Sequence, residues 1–257
     1  MKKNNILIVV TIILIFTLVF IGLIDSGVIN INNKKSNSLD NKYVDVDISD
    51  KKIIDLYDSL NTFTYSLKSN NCVDYDFDYY TDKEVKLKDL SYKHVTMMLL
   101  KYIFANKSLE VNSTFTKDDM SEAVQKTLGK NYNYENKNID FACPKVSYDS
   151  SSGLYTVTED CQTSCGMRNL KRLEKAEKNN KSIILYVRLL FYKDGNYYKD
   201  YKRTESIKFD VDWQQYKYFN VEDGVKDEDF VKGALYQVKF NKEGKRYIFE
   251  SSKVISK

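Results

Sequence analysis

The chain has 257 residues, with 40 Lys and Arg against 36 Asp and Glu, a formal net charge of +4, one proline, one histidine and four cysteines. Lys2 and Lys3 supply half of that excess, so no strongly basic body remains and nucleic acid is excluded as the partner. A single histidine excludes a zincin motif and any multi-histidine metal centre. The 21 tyrosines, which an AT-rich codon bias would also give, read as core and strand material rather than a stacking surface.

Residues 6–24 read ILIVVTIILIFTLVFIGLI, without a single charge. As a helix this run spans about 28 Å, enough for a hydrocarbon core of about 30 Å. Lipid leaves its β-branched residues no alternative to internal backbone bonding. Lys2 and Lys3 precede the run and the next basic residues are Lys34 and Lys35, so the positive-inside tendency sets residues 1–5 in the cytoplasm and the remainder outside. A cleaved signal peptide is the competing reading, but its apolar region is usually about 7–15 residues and ends at small residues, which are missing here. The expectation is a single-pass anchor held by membrane lipid through residues 6–24. A flexible tether rich in Asn, Ser, Lys and Asp follows over residues 25–48, then an extracytoplasmic domain over residues 49–257.

Within that domain, Ser49 or Asp50 opens a first helix with Ile53, Ile54, Tyr57, Leu60 and Phe63 on one stripe. Ser91 caps a second, in which Val95, Met98, Leu99, Tyr102 and Ile103 recur at three and four. A third begins at Thr116, with Asp119 completing a capping-box variant, Met120, Val124 and Leu128 on the apolar side, and Gly129 placed for the stop. The period then falls to two. Residues 141–148 and 154–158 flank DSSSG as a hairpin in which Tyr148 faces Leu154. The spacing of Met167, Leu170, Leu173 and Ala176 predicts a helix over 167–178. SIILYVRLLFY and NYYKDYKR flank Asp194-Gly195 as a second hairpin, and ALYQVKF and RYIFESS flank NKEG as a third. Helices first and hairpins after mean α+β, with helices packed on a curved antiparallel sheet. That plan resembles the cystatin/NTF2-like arrangement at the level of fold, which carries no function with it. No family is recognised by motif.

The cysteines Cys72, Cys143, Cys161 and Cys165 all follow the anchor, where oxidation is permitted. Four cysteines allow three pairings. Cys143 and Cys161 fall close to opposite each other across the first hairpin, and a small register shift or bulge aligns them. Cys72 then pairs with Cys165, closing a long loop that stabilises by about 4 kcal/mol in the chain-entropy model. Zinc is the competing reading of Cys161-x-x-x-Cys165, but the other two cysteines are remote and no ribbon pattern appears.

Other chemistry is thin. His94 lies beside an apolar stripe and reads as structural or solvent-edge rather than a general base. Ser49-Asp-Lys-Lys52 matches the S-x-x-K pattern of penicillin-binding proteins without its companion motifs, and helix capping accounts for Ser49. Asp74, Asp76 and Asp78 lack the Gly and Glu of a calcium loop and read as an edge strand with its aromatics inward. The basic residues Arg168, Lys171, Arg172, Lys175 and Lys178 form, on the predicted helix, a stripe that could meet anionic wall polymer or lipid headgroups. No catalytic residue, cofactor or metal is expected. The expectation is a non-enzymatic binding domain, for an envelope protein or an anionic wall polymer, at a bacterial cell envelope. An envelope enzyme using carboxylates is the alternative.

Overall fold

The computed structural model describes residues 42–60, 78–141, 144–159, 169–194, 196–207 and 227–256. Residues 6–24 lie outside them, and no helix among the described residues is long and apolar enough to cross a membrane. Tyr43–Lys257 forms one compact unit, and its class is α+β: a large antiparallel sheet with few helices.

Among the described residues the eleven strands are β1 (Val44–Val46), β2 (Val85–Lys86), β3 (Thr114–Thr116), β4 (Lys145–Asp149), β5 (Leu154–Glu159), β6 (Leu170–Lys178), β7 (Ser182–Lys193), β8 (Asn196–Tyr198), β9 (Ser206–Ile207), β10 (Ala234–Glu243) and β11 (Arg246–Ser256). The helices are α1 (Lys51–Ser59), α2 (Tyr92–Asn106), α3 (Lys117–Thr127) and the single turn α4 (Asp227–Phe230). The large sheet runs β1-β6-β7-β10-β11-β2, with β8 and β9 continuing from β7, and a three-stranded sheet runs β3-β5-β4.

Three helix starts follow from their capping chemistry. Asp50 accepts from Lys52 N at the start of α1. Ser49 instead belongs to the preceding turn, its hydroxyl bonded to Asp47 at 2.8 Å. Ser91 caps α2 by accepting from His94 N, and the carboxylate of Asp78 receives Ser91 N at 2.7 Å. Thr116 and Asp119 close a capping box on α3, and Gly129 leaves its end at φ 93, a conformation that costs glycine little. In α1, Ile53 and Leu60 are buried while Ile54 is exposed; Phe63 lies outside the described residues.

The long hairpins form at the expected turns, although the second arm of the Asp194 hairpin, expected over NYYKDYKR, is only the short strand β8. Phe191, Tyr192 and Lys193 pair with Tyr198, Tyr197 and Asn196 around Asp194, which takes φ 49 as a tight hairpin loop requires. β10 and β11 pair out to Glu243 and Arg246. Along β7, Ile183, Leu185, Val187, Leu189 and Phe191 enter the main core with α2, α3 and β10. Leu190 turns to the other face, where it joins Leu170, Tyr197, Ile207 and Phe230, as a period of two demands.

Four expectations are corrected. Residues 170–178 are a strand, β6, and not a helix. It pairs with β1 on one side and β7 on the other. A bulge between Leu173 and Lys175 inserts an extra residue, so Leu173 and Ala176 both pack on the main core although three residues separate them. Ladder pairing with β7 overrides the helix propensity of this Lys-, Glu- and Leu-rich stretch. Residues 44–46, read as tether, form β1 and pair with Lys178, Glu177 and Ala176. In the first hairpin Tyr148 faces Tyr155 and Asp149 faces Leu154, a register one residue away from that expected. Asp149 is the cause: its carboxylate accepts from Ser151 N, Ser151 Oγ and Ser152 Oγ, which makes it the last paired residue of the strand. The same bonds, Ser152 first, lower its pKa to about 2. Finally, Asp78, Tyr79 and Tyr80 lie in a turn, and the two adjacent tyrosines are both buried, which the alternation of a strand would forbid. Asp74 and Asp76 lie outside the described residues.

A candidate ligand cleft

A cleft of about 440 Å³ opens where the β8–β9 connection meets the start of β10. Its walls come from four places in the chain: Asp82 before β2, residues 199–205, Val231 and Lys232 after α4, and Ala234, Tyr236 and Val254 on β10 and β11.

The 199–205 connection is built by Asp200. Its carboxylate accepts from Thr204 N, Thr204 Oγ1 and Glu205 N at 3.0–3.2 Å. Burial pushes its pKa up, but these bonds, with that from Glu205 foremost, outweigh burial and hold it below the ordinary carboxylate value. Its carbonyl accepts from Arg203 N at 3.0 Å. Arg203 sits at φ 57, an uncommon conformation for a side chain of its size. The guanidinium holds it there by donating to the carbonyls of Tyr192 and Tyr201. Lys199 O receives Ala234 N at 2.9 Å, which fastens the connection to β10.

The approach of β10 to β7 depends on Gly233. A Cβ there would stand 2.2 Å from Leu189 O, so only glycine lets the chain enter β10 at this angle. Arg188 secures the same point, donating to Gly233 O at 2.9 Å while holding Glu174 with two parallel bonds at 3.0 and 2.9 Å.

Each lysine of the cleft has a carboxylate partner, in the lining or, for Lys232, outside it. Glu205 pairs with Lys199, Asp82 with Lys202 at 3.5 Å, and Lys232 with Asp229 at 2.6 Å. Tyr236 is buried at the floor, edge-on to Tyr80 with ring centroids 5.1 Å apart. Burial first, then the negative charges of Asp82 and Asp200, push its pKa up, so its hydroxyl stays protonated. The lining contains no histidine, cysteine or serine, and its one threonine hydroxyl is bonded to Asp200. No nucleophile–base pair is present in this lining. Among the described residues, no group of three or more His, Cys, Asp or Glu side chains is placed to hold a metal ion.

The residues singled out by sequence lie elsewhere. Cys72, Cys143, Cys161, Cys165 and Arg168 are outside the described residues. Lys171 is buried on the core-facing side of β6, 5.4 Å from the ring of Tyr57. Arg172 lies 4.7 Å from the ring of Phe230 and bonds Glu174 at 3.1 Å. Lys175 holds Glu177 at 2.6 Å and Asp45 at 3.0 Å, which raises its pKa. Lys178 is exposed. On a strand these side chains alternate between faces, so the continuous basic stripe expected of a helix does not form. Lys52 lies 4.3 Å over the Tyr247 ring while Ser49 bonds Asp47, which separates the two ends of the S-x-x-K pattern. His94 is fully buried, and neither ring nitrogen has a hydrogen-bond partner among the described residues. Burial lowers its pKa to about 4, with Asp78 opposing. The solvent-edge reading of His94 gives way to a structural one.

Asp82, Asp200, Tyr201 and Tyr236 were not singled out by sequence. They follow no motif, and Asp200 and Tyr201 fall in the stretch NYYKDYKR that the hairpin reading treats as strand. Comparison with protein-family models, with curated proteins and with solved structures returns no match to this chain.

Proposed function

We propose that the chain is a single-pass membrane protein whose folded body stands outside the membrane and acts as a non-catalytic binding module at a bacterial cell envelope. The observation that carries the reading is the uncharged run of residues 6–24 behind Lys2 and Lys3. The cleft supports the second half of the reading, because Glu205 is engaged by Lys199 and Asp200 by the backbone of its own turn, while Asp82 meets Lys202 only at 3.5 Å. A cystatin/NTF2-like plan is the finer fold proposed, supported by α2 and α3 sharing one core with one face of the large sheet. The partner is an envelope protein or a wall component. Contact of an anionic wall polymer with β6 is the weaker form of this idea, since Lys171 is buried and Arg172 and Lys175 already hold carboxylates.

The reading includes two cystines, Cys143–Cys161 and Cys72–Cys165. The β4–β5 register supports the first. Its bulge brings Lys145 opposite Glu159, and Cys143 precedes the one by two residues as Cys161 follows the other by two. Peptide mapping without reduction should recover both cross-linked pairs; four alkylatable thiols would remove this part of the proposal.

A carboxylate-using envelope enzyme is the second reading. Asp82 and Asp200 in one cleft favour it, and their existing partners weigh against it. The test of the main reading is fractionation. The full-length chain should stay with membranes through high-salt and carbonate washes, whereas a shortened, soluble product would contradict the anchor.

A further inference from the structure

The cleft is amphipathic and electrically balanced. Its lining residues Asp82, Asp200 and Glu205 equal Lys199, Lys202 and Lys232 in number, so the lining itself carries no excess charge of either sign to draw in an anion or a cation. Two of the exposed large apolar side chains of the domain stand at it, Val231 at 57% and Tyr201 at 40% exposure. Ala234 and Val254 continue that wall inward. Tyr201 rests edge-on against Phe191, with ring centroids 6.0 Å apart and planes at 84°, so the ring is braced although exposed.

Polar groups line the same cleft. Tyr236 stands in it with Asp82, Asp200 and Tyr201, and burial with the charges of these neighbours keeps its hydroxyl protonated. An ionised carboxylate offers about four lone-pair directions. Asp82 spends little of that capacity on Lys202 at 3.5 Å. The cleft therefore combines a protonated phenol and a carboxylate with acceptor capacity with exposed aromatic and aliphatic side chains.

A ligand matched to both kinds of group is neutral, carries several hydroxyls that donate and accept, and has a flat C–H face. We propose that the cleft binds a neutral carbohydrate, with a pyranose ring lying on Tyr201 and Val231 and its hydroxyls meeting Asp82 and Tyr236. Its volume suits a small-molecule site of about 300–1,000 Å³, which accommodates one or two sugar rings. The non-glycine φ of Arg203 fits this role, since strained backbone persists where it positions a site. The inference deepens the binding-module reading and rests on it only for the absence of turnover.

The test uses the full-length chain in a detergent without a sugar headgroup. Cellobiose and N,N′-diacetylchitobiose are the neutral probes, and spermidine and inorganic phosphate the charged ones. Saturable binding of a disaccharide is expected by calorimetry and saturation-transfer NMR, with a dissociation constant of about 1 mM. Tyr201→Ala and Val231→Asp should each weaken it by about tenfold or more, while Tyr201→Phe keeps the ring and most of the affinity. Both side chains are exposed, and unchanged circular dichroism checks the fold. Co-sedimentation with purified wall glycan distinguishes a polymeric source from a free sugar. Failure of both disaccharides to bind, tighter binding of either charged probe, or full affinity in Tyr201→Ala overturns the inference and leaves the module reading standing. Cleavage of a bound disaccharide would instead retain the ligand and overturn the non-catalytic reading.

Discussion

The ring of His94 meets Tyr79 edge-on, with centroids 4.2 Å apart and planes at 83°. The contact seals the only histidine of the chain inside the core, and it sets a pH dependence. The native imidazole titrates at about 4 rather than 6.5 because burial disfavours its charged form, with Asp78 opposing. The unfolded chain therefore binds the proton first as the pH falls. Stability from this group is fully present above pH 6.5 and is lost progressively as the pH drops through 4. The shift corresponds to about 3 kcal/mol at most. Urea unfolding at stepped pH should show this slope in the wild type and a flatter one in His94→Leu. Because both ring nitrogens lack a partner among the described residues, His94→Leu should be no less stable than wild type at pH 7. An unchanged slope in the variant would assign the dependence to carboxylates instead.

Glu174 joins Arg172 and Arg188 on the outer face of the sheet, and the three groups are only partly exposed, at 22%, 30% and 14% of their side chains. Arg188 also reaches Gly233 O, so it ties β6 to the start of β10 as well as holding a charge. Lysine cannot reproduce two parallel bonds and a third to a carbonyl. Arg188→Lys should cost about 1–2 kcal/mol, and a double-mutant cycle with Glu174→Gln should return a coupling of about 1 kcal/mol. A coupling near zero would make the pair an ordinary surface contact.

Gly233 lies against the Leu189 carbonyl at the start of β10. Gly233→Ala places a methyl group against the Leu189 carbonyl, and backbone must move to admit it. A loss of about 2 kcal/mol or more in unfolding free energy is expected, together with disturbance of the cleft beside it. Thermal unfolding measures the first, and amide chemical shifts of Ala234 and Tyr236 the second. Wild-type values for both would show that β10 enters the sheet another way.

What was legible in the sequence followed from local chemistry. Ser91, Thr116 with Asp119, and Gly129 mark helix ends because orphan backbone groups need partners within a turn. The long hairpins were legible because alternation and Asp194-Gly195 act over few residues. β6 was misread for a physical reason. Its bulge at Glu174 spaces Leu173 and Ala176 as a helix would, and Leu170 belongs to the opposite face of the sheet. Only the partner strand reveals this, and it lies beyond any local window. The cleft was illegible for the same reason carried further. Asp82, Tyr201 and Tyr236 come together from a bend, a turn and a strand far apart in the chain, and none has a neighbour in sequence that announces its role.

The central claim is that residues 6–24 hold the chain in a membrane with the folded body beyond it. Protease added to intact cells, or to spheroplasts where an outer wall intervenes, reads this directly through a tag after Lys257. The tag should be lost before lysis, while a cytoplasmic control protein survives. A tag that is protected until the membrane is broken would contradict the topology, and with it the oxidised cysteines.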